Sequence, residues 1–308
     1  MIKTDILIIG GGAAGLSAAQ YAARAGRTVH LVEKLATGGQ FMYIDKIENY
    51  PGILEPVSGF EVAERMQKQA ENFGAHIIYD EFVSFEKKDD KFFVKLKDEE
   101  LEADALIWGT GAVHRHLDIP GEEEFAGRGV SYCGTCDGPF FRGKKIIVIG
   151  GGDTALTDAI YLSKLSDDVT IIHRRNRFRA QSNLVEQVEA SKIKLELEYK
   201  PLEILGDQKV NSIKIENTKD GSTKTLDADA VFIFAGMMPQ TDLLDKKLLD
   251  QWGYVDTNGS METSLKGFYA IGDVRNTPFR QVVTAASDGA IAAHKASEYI
   301  DEINNNKY

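Results

Sequence analysis

Residues 5–34 read DILIIGGGAAGLSAAQYAARAGRTVHLVEK, and residues 145–174 read KIIVIGGGDTALTDAIYLSKLSDDVTIIHR. Placed one above the other, they align without a gap. Each begins with a short apolar run, Ile6–Ile9 or Ile146–Ile149, and passes into a glycine triplet, Gly10–Gly12 or Gly150–Gly152. An Ala/Leu-rich stretch of helical character follows, then a second apolar run, Val29–Val32 or Val169–Ile172. The pattern predicts strand–turn–helix–strand, twice over.

One glycine-rich turn of this kind is weak evidence. Two copies, each between a strand and a helix, have the setting that a dinucleotide-binding turn requires. Gly10 permits the tight turn, Gly12 leaves no side chain between backbone and pyrophosphate, and Gly15 lets helix and strand approach closely. The helix start then offers free N–H groups to phosphate. In the second copy Gly150 and Gly152 take the first two places, and Ala155 stands for the third glycine, an allowed variant. The fold class expected is α/β, with two Rossmann-like three-layer domains.

The copies differ where ribose specificity is set. The first ends its second strand in Glu33, whose carboxylate accepts hydrogen bonds from ribose hydroxyls and repels a 2′-phosphate. The second carries His173 there, followed by Arg174 and Arg175, with Arg177 and Arg179 close behind. Guanidinium groups pair well with a phosphate dianion. The first site should therefore take an adenine dinucleotide with a free ribose, FAD or NAD, and the second should prefer NADPH.

Cys133 and Cys136, in YCGTCDG, are the only two cysteines of 308 residues. Two thiols cannot complete a four-ligand zinc site, although His114 and His116 could add nitrogens. A structural staple across so short a loop adds little through chain entropy. Redox work is the leading reading, and it needs a thiol of lowered pKa and a proton carrier. Asp137, directly after Cys136, is the candidate carrier, against the alternative of a turn aspartate that only binds backbone N–H groups. No metal is expected.

Composition sets the outer bounds. A chain this long should bury roughly three quarters of its unfolded surface and divide into about two domains. A net charge of −11 argues against a nucleic-acid surface. No apolar run approaches the length of a membrane span, and the triglycine makes the N-terminus a poor signal peptide. A cytoplasmic location is expected.

Together GGGAAG, GGQ at 38–40, ENYPG at 48–52, CGTCDG, GGGDTA, HRRNRFRA, GDV at 272–274 and RQ at 280–281 resemble the low-molecular-weight, bacterial-type thioredoxin reductases of the pyridine nucleotide-disulfide oxidoreductase family. The similarity runs along essentially the whole chain. It implies FAD in the first site, on Gly10, Gly12, Ala14, Gly15, Glu33, Gly39, Gln40, Asn49, Thr110, Gly111, Gly272, Asp273, Arg280 and Gln281. It implies NADPH in the second, on Gly150, Gly152, Asp153, Thr154, His173, Arg174, Arg175 and Arg179. Cys136 would face the flavin, Cys133 would attack the substrate disulfide and Asp137 would supply the proton. The resemblance further implies thioredoxin as protein substrate, a homodimer and an inserted domain that rotates. Rival readings are a flavin-dependent reductase of ferredoxin, flavodoxin or oxygen, and a flavoprotein redox sensor without turnover.

The domain plan follows from where these segments fall. An FAD-binding domain is expected over 1–116 and 244–308, interrupted by an NADPH-binding domain over 117–243 that carries the CxxC. The crossings are expected near Pro120 and Pro239. Ser58 and Glu61 are spaced as a capping box, Val62, Met66 and Phe73 as a core stripe, and residues 81–108 as a β-meander. The chain departs from its relatives' usual residues at Gly134, expected to loosen the redox turn, at Trp108, expected to bear on the packing over FAD, and at Thr157, where an acidic residue is common.

Overall fold

The computed structural model describes residues 1–44, 47 and 49–304, apart from the Tyr43 side chain. The chain divides into two compact units, Met1–Val113 with Met238–Tyr308, and His114–Met237. The crossings thus fall at 113/114 and 237/238, earlier in the chain than the expected 116/117 and 243/244.

The first unit is built on a sheet of order β3-β2-β1-β6-β5-β4. Its strands are β1 (Ile2–Ile9), β2 (Val29–Glu33), β3 (His76–Tyr79), β4 (Phe82–Lys88), β5 (Lys91–Leu96) and β6 (Glu100–Trp108). The four strands β3, β2, β1 and β6 run parallel, and β4–β6 form the expected antiparallel meander. A further strand, β17 (Phe268–Ala270), pairs in parallel with the end of β6. Three helices lie over one face: α1 (Ala13–Arg24), α2 (Gly59–Asn72) and α6 (Val282–Ile303). Their packing depends on small residues. A Cβ on Gly289 of α6 would stand 2.1 Å from the Ala14 carbonyl oxygen, so α1 and α6 pack backbone to backbone. The Ser17 hydroxyl donates across this contact to the Ala286 carbonyl at 2.7 Å. The opposite face is closed by the meander and by residues from 244–274, with Trp108, Phe82 and Phe268 at its centre.

Two local expectations need correction. Phe73 is not core: it caps α2 and is 45% exposed, while Val62, Ala63, Met66 and Ala70 form the buried stripe. Ser58 does cap the helix, its hydroxyl accepting from the Glu61 N–H, but the Glu61 carboxylate pairs with Arg65 instead of returning the bond.

The second unit repeats the plan. A parallel sheet of order β11-β10-β9-β15-β8 contains β8 (Val130–Ser131), β9 (Ile146–Ile149), β10 (Val169–His173), β11 (Lys194–Leu197) and β15 (Ala230–Ile233). The short helix α3 (Gly134–Asp137) follows β8, and α4 (Asp153–Ser163) and α5 (Ser182–Glu189) cover one face. An antiparallel meander, β12 (Tyr199–Gly206), β13 (Val210–Asn217) and β14 (Thr223–Asp227), closes the other. The remaining strands, β7 (Ala112–His114) and β16 (Met237–Pro239), form a two-stranded ladder where the chain crosses between units. Both units are Rossmann-like, and the second is inserted into the first.

Candidate active site

In the first unit, the glycine turn after β1 gathers the residues singled out from the sequence. Gly10 has φ +104, and a Cβ there would lie 2.4 Å from the Gly109 carbonyl oxygen, so the turn is pressed against the 109–111 segment. A Cβ on Gly15 would be 1.9 Å from the Gly10 carbonyl oxygen, whereas around Gly12 the space is open. This is the division of labour a pyrophosphate turn needs. The Gly11 N–H donates to Glu33 Oε2 at 2.8 Å and the Leu35 N–H to Oε1 at 3.0 Å, which fixes the carboxylate at the end of β2. A carboxylate has about four acceptor positions, so two remain for ribose hydroxyls.

The other residues join this rim through hydrogen bonds and close approaches. Gly38 pairs with the turn, its N–H donating to the Gly11 carbonyl at 2.8 Å, and Gly39 and Gln40 follow. The Gln40 amide donates to the Ala112 carbonyl at 2.6 Å. Thr110 Oγ1 donates to the Gln240 carbonyl at 2.8 Å, and the Gln240 N–H bonds the Gly111 carbonyl. Gly272, at φ +71, approaches Ala14 at the start of α1. The Asn49 amide donates to Gln281 Oε1 at 3.0 Å, and Arg280 reaches the Asp273 carbonyl and lies over the Tyr254 ring. Glu48, within the ENYPG stretch, lies outside the described residues.

Asp273 carries the strongest ligand signal of this rim. Its side chain is partly buried and has no hydrogen-bond partner among the described residues, and burial lifts its carboxyl to about 6. An acid so placed suits the hydroxyl groups of a bound sugar alcohol. Two residues that the sequence reading missed hold it in place. Asp288 of α6 is 6% exposed, accepts the Gly272 N–H at 3.0 Å, and pairs with Arg275 at 2.7 Å and 3.0 Å. An aspartate on the otherwise small and apolar face of α6 was the available signal. Trp108 does not face this rim: its ring is buried among Phe82 and Phe268, and its Nε1 donates to the Gln240 carbonyl at 3.3 Å.

In the second unit the corresponding turn has the same construction with different chemistry. Gly150 has φ +150, and Gly152 is open. The third place accepts Ala155, whose methyl packs against Gly150. The Arg179 N–H donates to the Gly151 carbonyl at 2.7 Å, as Gly38 does to Gly11 in the first unit. The repeat therefore extends past the stretch that aligns in sequence. His173 occupies the place of Glu33, yet its ring is folded beneath Gly151 and its Nε2 donates to the Arg177 carbonyl at 3.1 Å. Burial lowers its pKa, so the ring is a neutral packing element of the turn. Arg174, Arg175 and Arg179 are exposed around the turn. Asp153 accepts the Gln181 N–H and amide at 2.8 and 3.0 Å, joining α4 to α5, and Thr154 is exposed in the first turn of α4.

The cysteines sit at the end of β8. Cys133 is the N-cap of α3, Cys136 lies within it, and the two form a disulfide. Both are partly exposed. The Cys136 N–H donates to Cys133 Sγ at 3.2 Å, a contact that also stabilises a thiolate at Cys133. Asp137 ends α3. Ser131, 5% exposed, donates its hydroxyl to Asp137 Oδ2 at 2.5 Å and accepts the Cys133 N–H at 3.1 Å. Behind the pair, Tyr132 donates to the buried Glu122 at 2.8 Å and stacks on His114, which burial holds at about 4 and hence neutral.

The family model described as pyridine nucleotide-disulphide oxidoreductase matches residues 4–289. The chain belongs to this family. Among curated relatives, a thioredoxin reductase of Treponema pallidum (strain Nichols) is 49% identical over 302 residues, 98% of each chain. A thioredoxin reductase of Listeria innocua is 40% identical over 304 residues, 97% of this chain and 94% of its own. The crystal structure of thioredoxin reductase from Streptococcus pyogenes MGAS5005 matches with a TM-score of 0.90 at 40% identity, covering 97% of this chain and 99% of that one.

Proposed function

We propose that the protein is an NADPH-dependent, FAD-containing thioredoxin-disulfide reductase. The observation that carries this is the partly exposed Cys133–Cys136 disulfide beside the buried Ser131 and the partly buried Asp137 it is bonded to, in a chain with two dinucleotide-type turns. Members of the family that are thioredoxin reductases use FAD and NADPH.

The first unit's rim fits FAD: an open glycine turn, the fixed Glu33 carboxylate and the unpartnered Asp273. Bound FAD would supply two-electron transfer between NADPH and the disulfide. Gly150, Gly152, Asp153, Thr154 and His173 would form the NADPH turn, and Arg174, Arg175 and Arg179 would hold the 2′-phosphate. Their exposure leaves the guanidinium groups free to take up phosphate bidentately.

Reduction of the Cys133–Cys136 bond consumes two electrons and two protons. Cys133 then attacks the substrate disulfide as thiolate, forming a mixed disulfide and releasing one substrate thiolate. Cys136 attacks Cys133, releases the second and restores the protein disulfide. Asp137 exchanges protons with the sulfurs, and Ser131 keeps its carboxylate oriented at the turn. Thioredoxin is the protein substrate, and a homodimer in the cytoplasm is the working form. Cys133→Ser should abolish thioredoxin reduction by NADPH and spare electron transfer to an artificial acceptor, assayed side by side. Undiminished thioredoxin turnover in that variant would reject the proposal.

A further inference from the structure

Gly134 and Gly138 are spaced four residues apart in the redox segment, and each presses on α4. A Cβ at Gly134 would lie 2.9 Å from Asp158 Oδ1, and one at Gly138 would lie 2.7 Å from the Leu162 side chain. Asp158 and Leu162 are themselves four apart, so one face of α4 meets one face of the redox turn. The departure at Gly134 thus has a cause other than the expected loosening. Its backbone is helical, and the missing methyl makes room for a carboxylate.

Asp158 has no part in the mechanism above. It is partly buried and has no hydrogen-bond or ion-pair partner among the described residues. We propose that the Asp158 carboxylate, seated against Gly134, controls how readily the reduced Cys133/Cys136 pair ionises. This rests on the redox role given to the cysteines.

The physics is that of a neighbouring charge. Two electrons from NADPH and two protons convert the disulfide to two thiols. To attack, one thiol must then release its proton and become an anion. An ionised Asp158 next to the turn opposes that second negative charge, and a protonated one does not. Burial lifts the Asp158 carboxyl to about 6, so it changes state at the acid edge of the neutral range. The other titratable groups on elements packed against α4 are Cys133, Cys136 and Asp137 on α3, Glu186 and Glu189 on α5, and His173 at the end of β10; Asp153, Tyr161 and Lys164 lie on or at the end of α4 itself. Asp153 is engaged by Gln181 and His173 is held neutral by burial, which leaves Asp158 as the carboxylate of α4 set against the redox turn.

The test is the rate of iodoacetamide alkylation of the anaerobically reduced, FAD-containing enzyme from pH 5 to 9. Asp158→Asn should lower the apparent thiol pKa by roughly one unit, and the alkylation rate at pH 7 should rise about threefold, because nucleophilicity falls as the thiol pKa falls. The two enzymes should converge below pH 6, where the parent's Asp158 is itself protonated. Gly134→Ala is the second variant. Its methyl displaces the carboxylate toward water, so it should move the profile in the same direction, and it should add nothing in the Asp158→Asn background. Superimposable parent and Asp158→Asn profiles would overturn the proposal, as would a Gly134→Ala shift that persists undiminished in Asp158→Asn. Cys133→Ser, assayed with thioredoxin alongside, separates the two readings. Lost thioredoxin reduction with a flat Asp158→Asn profile rejects only the role of Asp158; retained thioredoxin reduction rejects the redox reading itself.

Discussion

The Ser131 hydroxyl touches both ends of the redox turn, donating to Asp137 and accepting from the N–H of Cys133. A hydrogen bond donated to a carboxylate favours its charged form and contributes about 1.5–3 kcal/mol. Ser131→Ala removes that donor, so the part of the kcat–pH profile that depends on the Asp137 carboxylate should move to higher pH. Ser131→Thr, which keeps the hydroxyl, should restore the parent profile. A uniform drop in kcat at every pH would instead mark Ser131 as purely structural. Residues at this scale were unevenly legible. Glu33 could be read because a strand end after a glycine turn has a known duty. Ser131, between Val130 and Tyr132 in a two-residue strand, has no periodicity or spacing to mark it. His173 shows the opposite case. Its position suggested a nucleotide contact, but the missing side chain at Gly151 lets the ring fold inward, and only the folded backbone reveals that.

Strand–turn–helix–strand was legible twice because a glycine triplet between apolar runs constrains the backbone strongly. The further likeness of the units was not. The strands β3 and β11, the two meanders and the return of Gly38 and Arg179 to their glycine turns have no common sequence, because many apolar patterns fill the same sheet position. The third glycine place shows how local sterics decide which substitutions a repeated element accepts. At Gly15 a Cβ would meet the backbone oxygen of Gly10 at 1.9 Å, which no rotamer change can relieve. In the second copy the turn opens to φ +150 at Gly150 and Ala155 fits. Gly15→Ala should then cost at least about 1–3 kcal/mol by overpacking, and the purified protein should carry less flavin. Ala155→Gly should cost no more than the roughly 1 kcal/mol of a glycine in a helix. Thermal melts and the flavin-to-protein absorbance ratio check both. Equal tolerance at the two sites would show that the close contact at Gly15 does not govern flavin retention.

Each unit encloses its own apolar clusters on both faces of its own sheet, so each can be stabilised by a ligand of its own. Asp273 links that stability to pH in the flavin-free protein. Its folded pKa, about 6, stands above an unfolded value of roughly 3.9. Its contribution to stability is thus fully present below about pH 4 and lost as pH rises through 6. Asp273→Asn should stabilise the flavin-free protein at pH 8 by roughly 1–3 kcal/mol and change little near pH 4. For a unit of this size each kcal/mol moves the melting temperature by about 2–4 °C. The same substitution removes the carboxylate proposed to receive the hydroxyls of FAD. FAD at a hundred times its Kd adds about 2.7 kcal/mol to a folded state that alone binds it. At the FAD concentration that gives the parent this gain, Asp273→Asn should gain less. Scanning calorimetry at pH 4 and pH 8, with and without FAD, reads all of these quantities on one sample. If the substitution left both the pH dependence and the flavin-induced shift unchanged, Asp273 would be neither a destabilising acid of the flavin-free protein nor a contact for the ligand. If it changed the first and not the second, burial would be costing stability without serving flavin binding, and the FAD assignment of Asp273 would fall while that of the glycine turn stood.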